Sequence, residues 1–222
     1  MKFNWKYIDC SDLISLHIEV TKLSYNTHSR EYAKAWEWNK EIMAKTKKDY
    51  LSAFMKKIVK DGTVLVVGCG TGRDLETLGK NGFKCIGVDS SVGMLEEYLS
   101  KEKGSFPVIN ISLEEVPLVK ESMDGVLIDS ALEHIKKSDI PNILQKIYSS
   151  LKVNGIALVR FRRGKGNVFW VNDIVGERYF TSYTIKEMEN IIKNTKFKVI
   201  EKYERDHLES TRPGFFTYIL RK

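Results

Sequence analysis

The residues Val64-Leu-Val-Val-Gly68-Cys69-Gly70-Thr71-Gly72 carry the sharpest chemical signal in the chain: three alternate glycines directly after an apolar run. Glycine lets a backbone turn tightly and approach a ligand closely. Ligands of doubly wound sheets bind outside the carboxyl ends of the strands, where such a turn lies. The dinucleotide fingerprint G-x-G-x-x-G needs its third glycine where Arg73 stands, so the G-x-G-x-G spacing argues against it. No Gly-Lys-Ser/Thr follows, which excludes a phosphate-binding P-loop. Asp89 comes 17 residues after Gly72. An acidic side chain there can accept both ribose hydroxyl protons of an adenosine ligand. The alternative is a helix N-cap, since Ser90, Ser91 and a helical pattern follow.

The elements that must position these residues are readable from periodicity. Ile42, Met43, Tyr50, Leu51, Phe54, Met55, Ile58 and Val59 recur at helical spacing, with Lys56, Lys57 and Lys60 in the last turn and Gly62 beyond it. A shorter helix is expected over Ser29–Trp38. Strands are expected at Thr63–Val67, Phe83–Val88, Val108–Ile111, Asp124–Ile128 and Gly155–Phe161, with helices after the first two and from Ile140 to Leu151. Such alternation predicts a mostly parallel sheet with helices on both faces. After a helix Ile185–Asn194, the runs Phe197–Tyr203 and Gly214–Leu220 have no helix between them, which predicts an antiparallel strand pair. The expected fold class is α/β, a Rossmann-like doubly wound sheet. Residues 1–60 are expected as an N-terminal helical lid and residues 61–222 as one binding domain.

The chain has 222 residues, enough to bury about 70% of its unfolded surface without staples. At 42% hydrophobic and 29% charged it is not an intrinsically disordered composition. No apolar run approaches the ~20 residues of a membrane span. No apolar signal region follows Met1, and Cys10, Cys69 and Cys85 form no C-x-x-C pair; reduced thiols in a cytoplasmic protein are expected, with no metal site. The net charge of +7 is unevenly spread: residues 1–60 carry +5, residues 61–150 carry −5 and residues 151–222 carry +7. An acidic, aromatic-poor centre is flanked by basic, aromatic-rich ends.

On these residues the chain resembles the class I S-adenosylmethionine-dependent methyltransferases, in particular their broad small-molecule, type 11-like group. Gly68-Cys-Gly-Thr-Gly72 is similar to the first motif and Gly87-Val-Asp-Ser-Ser-Val-Gly-Met-Leu95 to the second. Ile111-Ser-Leu-Glu-Glu-Val-Pro117 is similar to the third, Asp124–His134 to the fourth and Leu151–Leu158 to the fifth. The resemblance implies S-adenosyl-L-methionine as cofactor, held by Gly68, Cys69, Gly70, Thr71 and Gly72. It implies Asp89 and Ser90 at the ribose and Met94, Ser112 and Leu113 at the adenine. Asp129 and Ser130 are the implied contacts after the fourth strand, and Tyr25 and Tyr32 those from the lid. Val66 and Ser112 stand where the family usually carries acidic residues; Asp74 is the nearby carboxylate that can stand in for the first.

Methyl transfer from a sulfonium needs alignment above all, and well-oriented reactants gain roughly 7–11 kcal/mol. A hydroxyl or carbon acid also needs a base, for which His134 is the candidate catalytic residue because its pKa lies near neutrality. The alternative is that Glu133 and His134 are structural. No Asn/Asp-Pro-Pro-Tyr/Phe stands at Asp129-Ser-Ala-Leu, which argues against an exocyclic base amine or glutamine amide as acceptor. Arg160, Arg162 and Arg163 are candidates to hold an acidic acceptor, and Tyr179, Phe180 and Tyr183 to line an aromatic one. A small-molecule acceptor, acidic or aromatic, is therefore expected, with no nucleic-acid partner. An RNA or protein methyltransferase and a non-catalytic S-adenosylmethionine-binding module are the competing readings.

Overall fold

The computed structural model describes residues 10–37, 49–100, 104–205 and 214–222. The chain enters through α1 (Cys10–Thr27), α2 (Ser29–Tyr32) and a π-helical turn (Ala33–Glu37). The helix expected over Ser29–Trp38 is thus α-helical only in its first turn; Trp38, Ile42 and Met43 lie outside the described residues. Helix α3 (Asp49–Met55) ends earlier than its periodicity suggested. Its chain tightens there into i→i−3 bonds, from Lys57 N–H to Phe54 C=O and from Ile58 N–H to Met55 C=O.

The alternating part follows as β1 (Thr63–Val67), α4 (Arg73–Lys80), β2 (Lys84–Asp89), α5 (Val92–Leu99), β3 (Val108–Asn110), β4 (Met123–Ile128), α6 (Ile140–Ser150) and β5 (Leu151–Arg162). Next come a hairpin of β6 (Val168–Asp173) and β7 (Gly176–Thr181), helix α7 (Ile185–Lys193), and the strands β8 (Lys198–Arg205) and β9 (Phe215–Arg221). Seven strands form one sheet in the order β3-β2-β1-β4-β5-β9-β8. Pairs from β3 to β5 are parallel, whereas β5–β9 and β8–β9 are antiparallel. The doubly wound sheet and its antiparallel terminal pair are therefore as the sequence pattern predicts.

The Val- and Leu-rich strands read as continuous apolar runs because both sheet faces are covered. On one face Leu65, Val67, Val126, Ile128, Ala157 and Val159 pack against Ile140, Ile143, Leu144 and Ile147 of α6. On the other, Val64, Val66, Leu127 and Leu158 pack against Leu51 and Phe54 of α3 and Leu75 and Leu78 of α4. Val66 is 1% exposed within this second layer, so the position usually acidic in the resembling family is core here. The hairpin β6–β7 was not expected. It forms its own two-stranded sheet, and α1 lies against β7. No described helix is long and apolar enough to cross a membrane.

Candidate functional site

Parallel strands leave their carboxyl ends on one edge of the sheet, and order reverses between β1 and β4. A cavity opens along that edge. It is lined by Gly68 and Gly70 after β1, Asp89, Ser90 and Met94 after β2, Ile111, Ser112, Leu113 and Glu114 after β3, and Asp129, Ser130, Ala131, His134 and Ile135 after β4. Ile18, Thr21, Lys22 and Tyr25 of α1, with Tyr32, close it from above. Counting its open mouth to solvent, the space is about 900 Å³.

Two of the three glycines of the turn do different jobs. Gly72 has φ +85°, and a Cβ there would lie 2.1 Å from the Tyr98 ring, so it is a packing requirement. Gly70 has φ +52°, and a Cβ there would meet only the Met94 methyl at 3.2 Å, on the cavity wall. The Gly70 N–H donates to Asp89 Oδ2 at 2.8 Å and the Ser91 N–H to Oδ1 at 2.8 Å. Burial pushes the Asp89 pKa up, against those two N–H donors. Cys69, Thr71 and Gly72 do not line the cavity; the Cys69 N–H donates to Val88 C=O and Gly72 N–H to Cys69 C=O, so they brace the turn from behind.

The end of the cavity beyond β4 is densely charged. Asp129 accepts from Arg160 Nη1 at 2.8 Å, from the Ser130 hydroxyl at 2.9 Å and from the Tyr50 hydroxyl at 3.2 Å. Arg73 Nη2 lies 3.7 Å from it. Desolvation and the Asp129 charge hold the Tyr50 proton tightly. Ser130 adopts φ +63°, a left-handed conformation rare for a non-glycine residue and concentrated at binding sites. Asp74 accepts both Arg73 Nε and Nη2, so it neutralises Arg73 and does not line the cavity. The arginines expected to receive an acidic acceptor face carboxylates of the chain itself: Arg160 faces Asp129, Arg162 Nη1 is 3.7 Å from Glu133 and Arg163 Nη1 is 3.9 Å from Glu204.

A polar chain ties the lid to this end. Tyr179 C=O can only accept, so His134 Nδ1 donates to it at 2.7 Å. That tautomer leaves His134 Nε2 as acceptor, and the Tyr25 hydroxyl donates to it at 3.0 Å. Arg178 Nη1 donates in turn to the Tyr25 oxygen at 3.3 Å. Desolvation, with Arg178 and Arg162 nearby, lowers the His134 pKa to about 4, and desolvation raises Tyr25 to about 12. His134 is therefore neutral at pH 7, and its single lone pair is engaged by Tyr25. Beside it, burial raises the Glu133 pKa to about 7 despite Arg162 and Arg160.

The sequence reading did not include Thr21 or Arg178. Thr21 Oγ1 accepts from Tyr179 N–H, and the Ser24 hydroxyl donates to Glu177 C=O. The Asn26 side-chain oxygen accepts from the Ser91 hydroxyl and, at 3.2 Å, the Gly93 N–H. The polar residues of α1 thus clamp it to β7 and to the start of α5. Tyr179 stacks edge-on with Trp170, and Phe180 packs on His134. Tyr183 is buried against Phe161 as core.

A glycine turn after β1, a carboxylate ending β2 and a cavity across the sheet edge, in the order β3-β2-β1-β4-β5-β9-β8, are the features of a Rossmann-like doubly wound fold with its cavity at the switch point. Residues 64–155 match the family model described as a methyltransferase domain. The match runs from β1 into β5 and includes the glycine turn, Asp89 and the β4 end of the cavity. The chain is 30% identical over 106 residues to 18S rRNA (guanine-N(7))-methyltransferase of Bos taurus, covering 44% of this chain and 38% of that protein. The chain spans about half or less of the length of the curated relatives it matches. Among solved structures it is similar to the DhpI–SAH complex, with TM-score 0.72, 15% identity, and 92% and 96% of the two chains covered. It is also similar to a Burkholderia thailandensis 1,6-didemethyltoxoflavin-N1-methyltransferase with bound 1,6-didemethyltoxoflavin and S-adenosylhomocysteine. There the TM-score is 0.63 at 13% identity, and 99% and 93% of the chains are covered.

Proposed function

We propose that this protein is an S-adenosylmethionine-dependent methyltransferase acting on a small molecule. The observation that carries the reading is the Asp89 carboxylate at the centre of the cavity, beside the Gly70 turn. The donor set fits S-adenosylmethionine. Asp89 accepts from the ribose hydroxyls, Met94 and Leu113 cover the base, and Gly68, Asp129 and Ser130 surround the methionine end. Bound S-adenosylmethionine supplies a methyl group already activated on a sulfonium. The protein's task is alignment and exclusion of water.

Residues 1–60 act as the lid of the domain formed by residues 61–222. Helix α1 presents Ile18, Thr21, Lys22 and Tyr25 to the cavity, and its hydrogen bonds to β7 hold it there. The acceptor end is lined by Tyr25, Tyr32, Ile18, Ala131 and Ile135. Such walls suit a small planar or apolar acceptor, and the similar structure from Burkholderia thailandensis holds bound 1,6-didemethyltoxoflavin. In this reading an acceptor's proton would pass to the Tyr25 oxygen as the Tyr25 hydroxyl proton passes to His134 Nε2. Cys69 and Cys85, buried and not joined in a disulfide, suit the cytoplasm.

Calorimetric titration with S-adenosylmethionine, followed by labelled-methyl transfer into small-molecule and RNA pools, tests the reading. Donor binding with label in the small-molecule pool is expected. Absence of donor binding overturns it, and label confined to RNA replaces the acceptor class with that of the bovine relative.

A further inference from the structure

The outer strands of a sheet present N–H and C=O groups that no strand of the sheet satisfies, and an unprotected edge recruits another strand. The described edges are not protected alike. β3 is short, offering only Val108–Asn110. β8 carries Lys198, Glu201, Lys202, Glu204 and Arg205, charges that oppose pairing. β7 is covered by α1, since Tyr179 N–H donates to Thr21 Oγ1 and Glu177 C=O accepts from the Ser24 hydroxyl. β6 is the remaining edge, and Val168–Asp173 holds no Lys, Arg or Pro to block it.

The hydrogen bonds fix which groups of β6 face outward. In an antiparallel pair the N–H and C=O of one residue point to the same side, and the side alternates along the strand. Glu177 and Tyr179 point to α1, so Arg178 and Phe180 point to β6, opposite Val171 and Phe169. Val168, Trp170 and Asn172 therefore turn their backbone groups away from the hairpin, and β6 pairs with no other described strand. The side chains alternate too. Phe169 stacks on Phe180, whereas Val168 and Trp170 are 55% and 46% exposed, and Ile174 beyond them 64%. Lys165, just before the strand, is exposed, and Asp173 ends it. We propose that β6 is a self-association edge, on which a second copy of this chain adds its own β6 in antiparallel fashion. Two-fold antiparallel pairing brings the basic entry of one strand beside the acidic end of the other, whereas parallel pairing sets like charges together. Centred on Phe169, it also sets Val168 opposite the partner's Trp170, so each copy covers the other's exposed apolar surface.

Sedimentation equilibrium of the full chain over a concentration series reads the association, and residue-resolved amide hydrogen exchange reads its place. The wild type should pass from monomer to dimer as concentration rises. Exchange of the Trp170 and Asn172 N–H groups should slow over the same range, while Phe169 and Val171, already bonded to β7, should not change. Trp170→Lys should weaken the dimer at least about tenfold, since truncating a central interface tryptophan costs that much or more. Val168→Lys tests the same face one pair away. Thermal melts of both variants in the monomeric range should match the wild-type monomer, which separates a lost contact from a melted hairpin. The exchange readout on the wild type needs no variant. A wild type that stays monomeric at every concentration overturns the proposal. So does a dimer in which Trp170 exchange is independent of concentration, or one that both substitutions leave unweakened.

Discussion

Glu133 and His134 are adjacent, share one 3₁₀ turn (Leu132–His134), and should pull the pH dependence of stability in opposite directions. Burial raises Glu133 from 4.5 to about 7, so between those values the folded protein holds a proton that the unfolded chain has lost. Stability from this group is present below pH 4.5 and falls as pH rises toward 7. Desolvation lowers His134 from 6.5 to about 4, so over that interval the unfolded chain holds the extra proton. Stability from this group is present above pH 6.5 and falls as pH drops toward 4. Each shift corresponds to about 3 kcal/mol over its full span, at 1.36 kcal/mol per pKa unit. The two slopes largely cancel between pH 4.5 and 6.5. Glu133→Gln removes one of them while keeping the shape of the side chain. The variant's melting temperature relative to wild type should therefore climb with pH over this interval and beyond to pH 7, by roughly 6–12 °C in total. Thermal melts in matched buffers from pH 4.5 to 7.5 read the difference, and the other titrating groups drop out because both proteins share them. Parallel curves for variant and wild type would refute the claim that Glu133 is buried with a raised pKa.

Tyr25→Phe removes the hydroxyl that donates to His134 Nε2 and accepts from Arg178, and should lower stability by about 1–3 kcal/mol in a denaturant titration. The two glycines should separate packing from binding. Gly72→Ala forces a methyl into the Tyr98 ring at positive φ and should lower the melting temperature by roughly 6 °C or more. Gly70→Ala strains the backbone by about 1–2 kcal/mol but meets only a flexible methionine, so it should fold and lose affinity for S-adenosylhomocysteine in calorimetry.

The strands and the ligand-binding turn were legible because both depend on local signals. β-branched runs covered on two faces and glycines at positive φ announce themselves within a few residues. What escaped detection depends on partners far away in the chain. Helix α1 buries His17, Thr21 and Ser24, which read as surface residues until the hairpin Val168–Thr181 supplies Tyr179 N–H and Glu177 C=O to two of them. The hairpin itself carried a signal, a β-rich run broken by Asp173 and Gly176, but its outer strand leaves Val168 and Trp170 about half exposed and gives no clean alternation. Arg160, Arg162 and Arg163 were identified as substrate-side cations, yet sequence position alone did not show that Asp129, Glu133 and Glu204 already face them. Ser112 was placed at the base from its motif position, and the hydrogen bond of its hydroxyl to Glu115 was not legible. Part of the charge of the basic C-terminal end is therefore matched within the fold.

A crystal structure with S-adenosylhomocysteine tests the central claim most directly. The account predicts the nucleoside along the carboxyl edge of β3, β2, β1 and β4, with the Asp89 carboxylate within hydrogen-bond distance of both ribose hydroxyls. A ligand bound elsewhere, or a ribose that Asp89 does not touch, would contradict it.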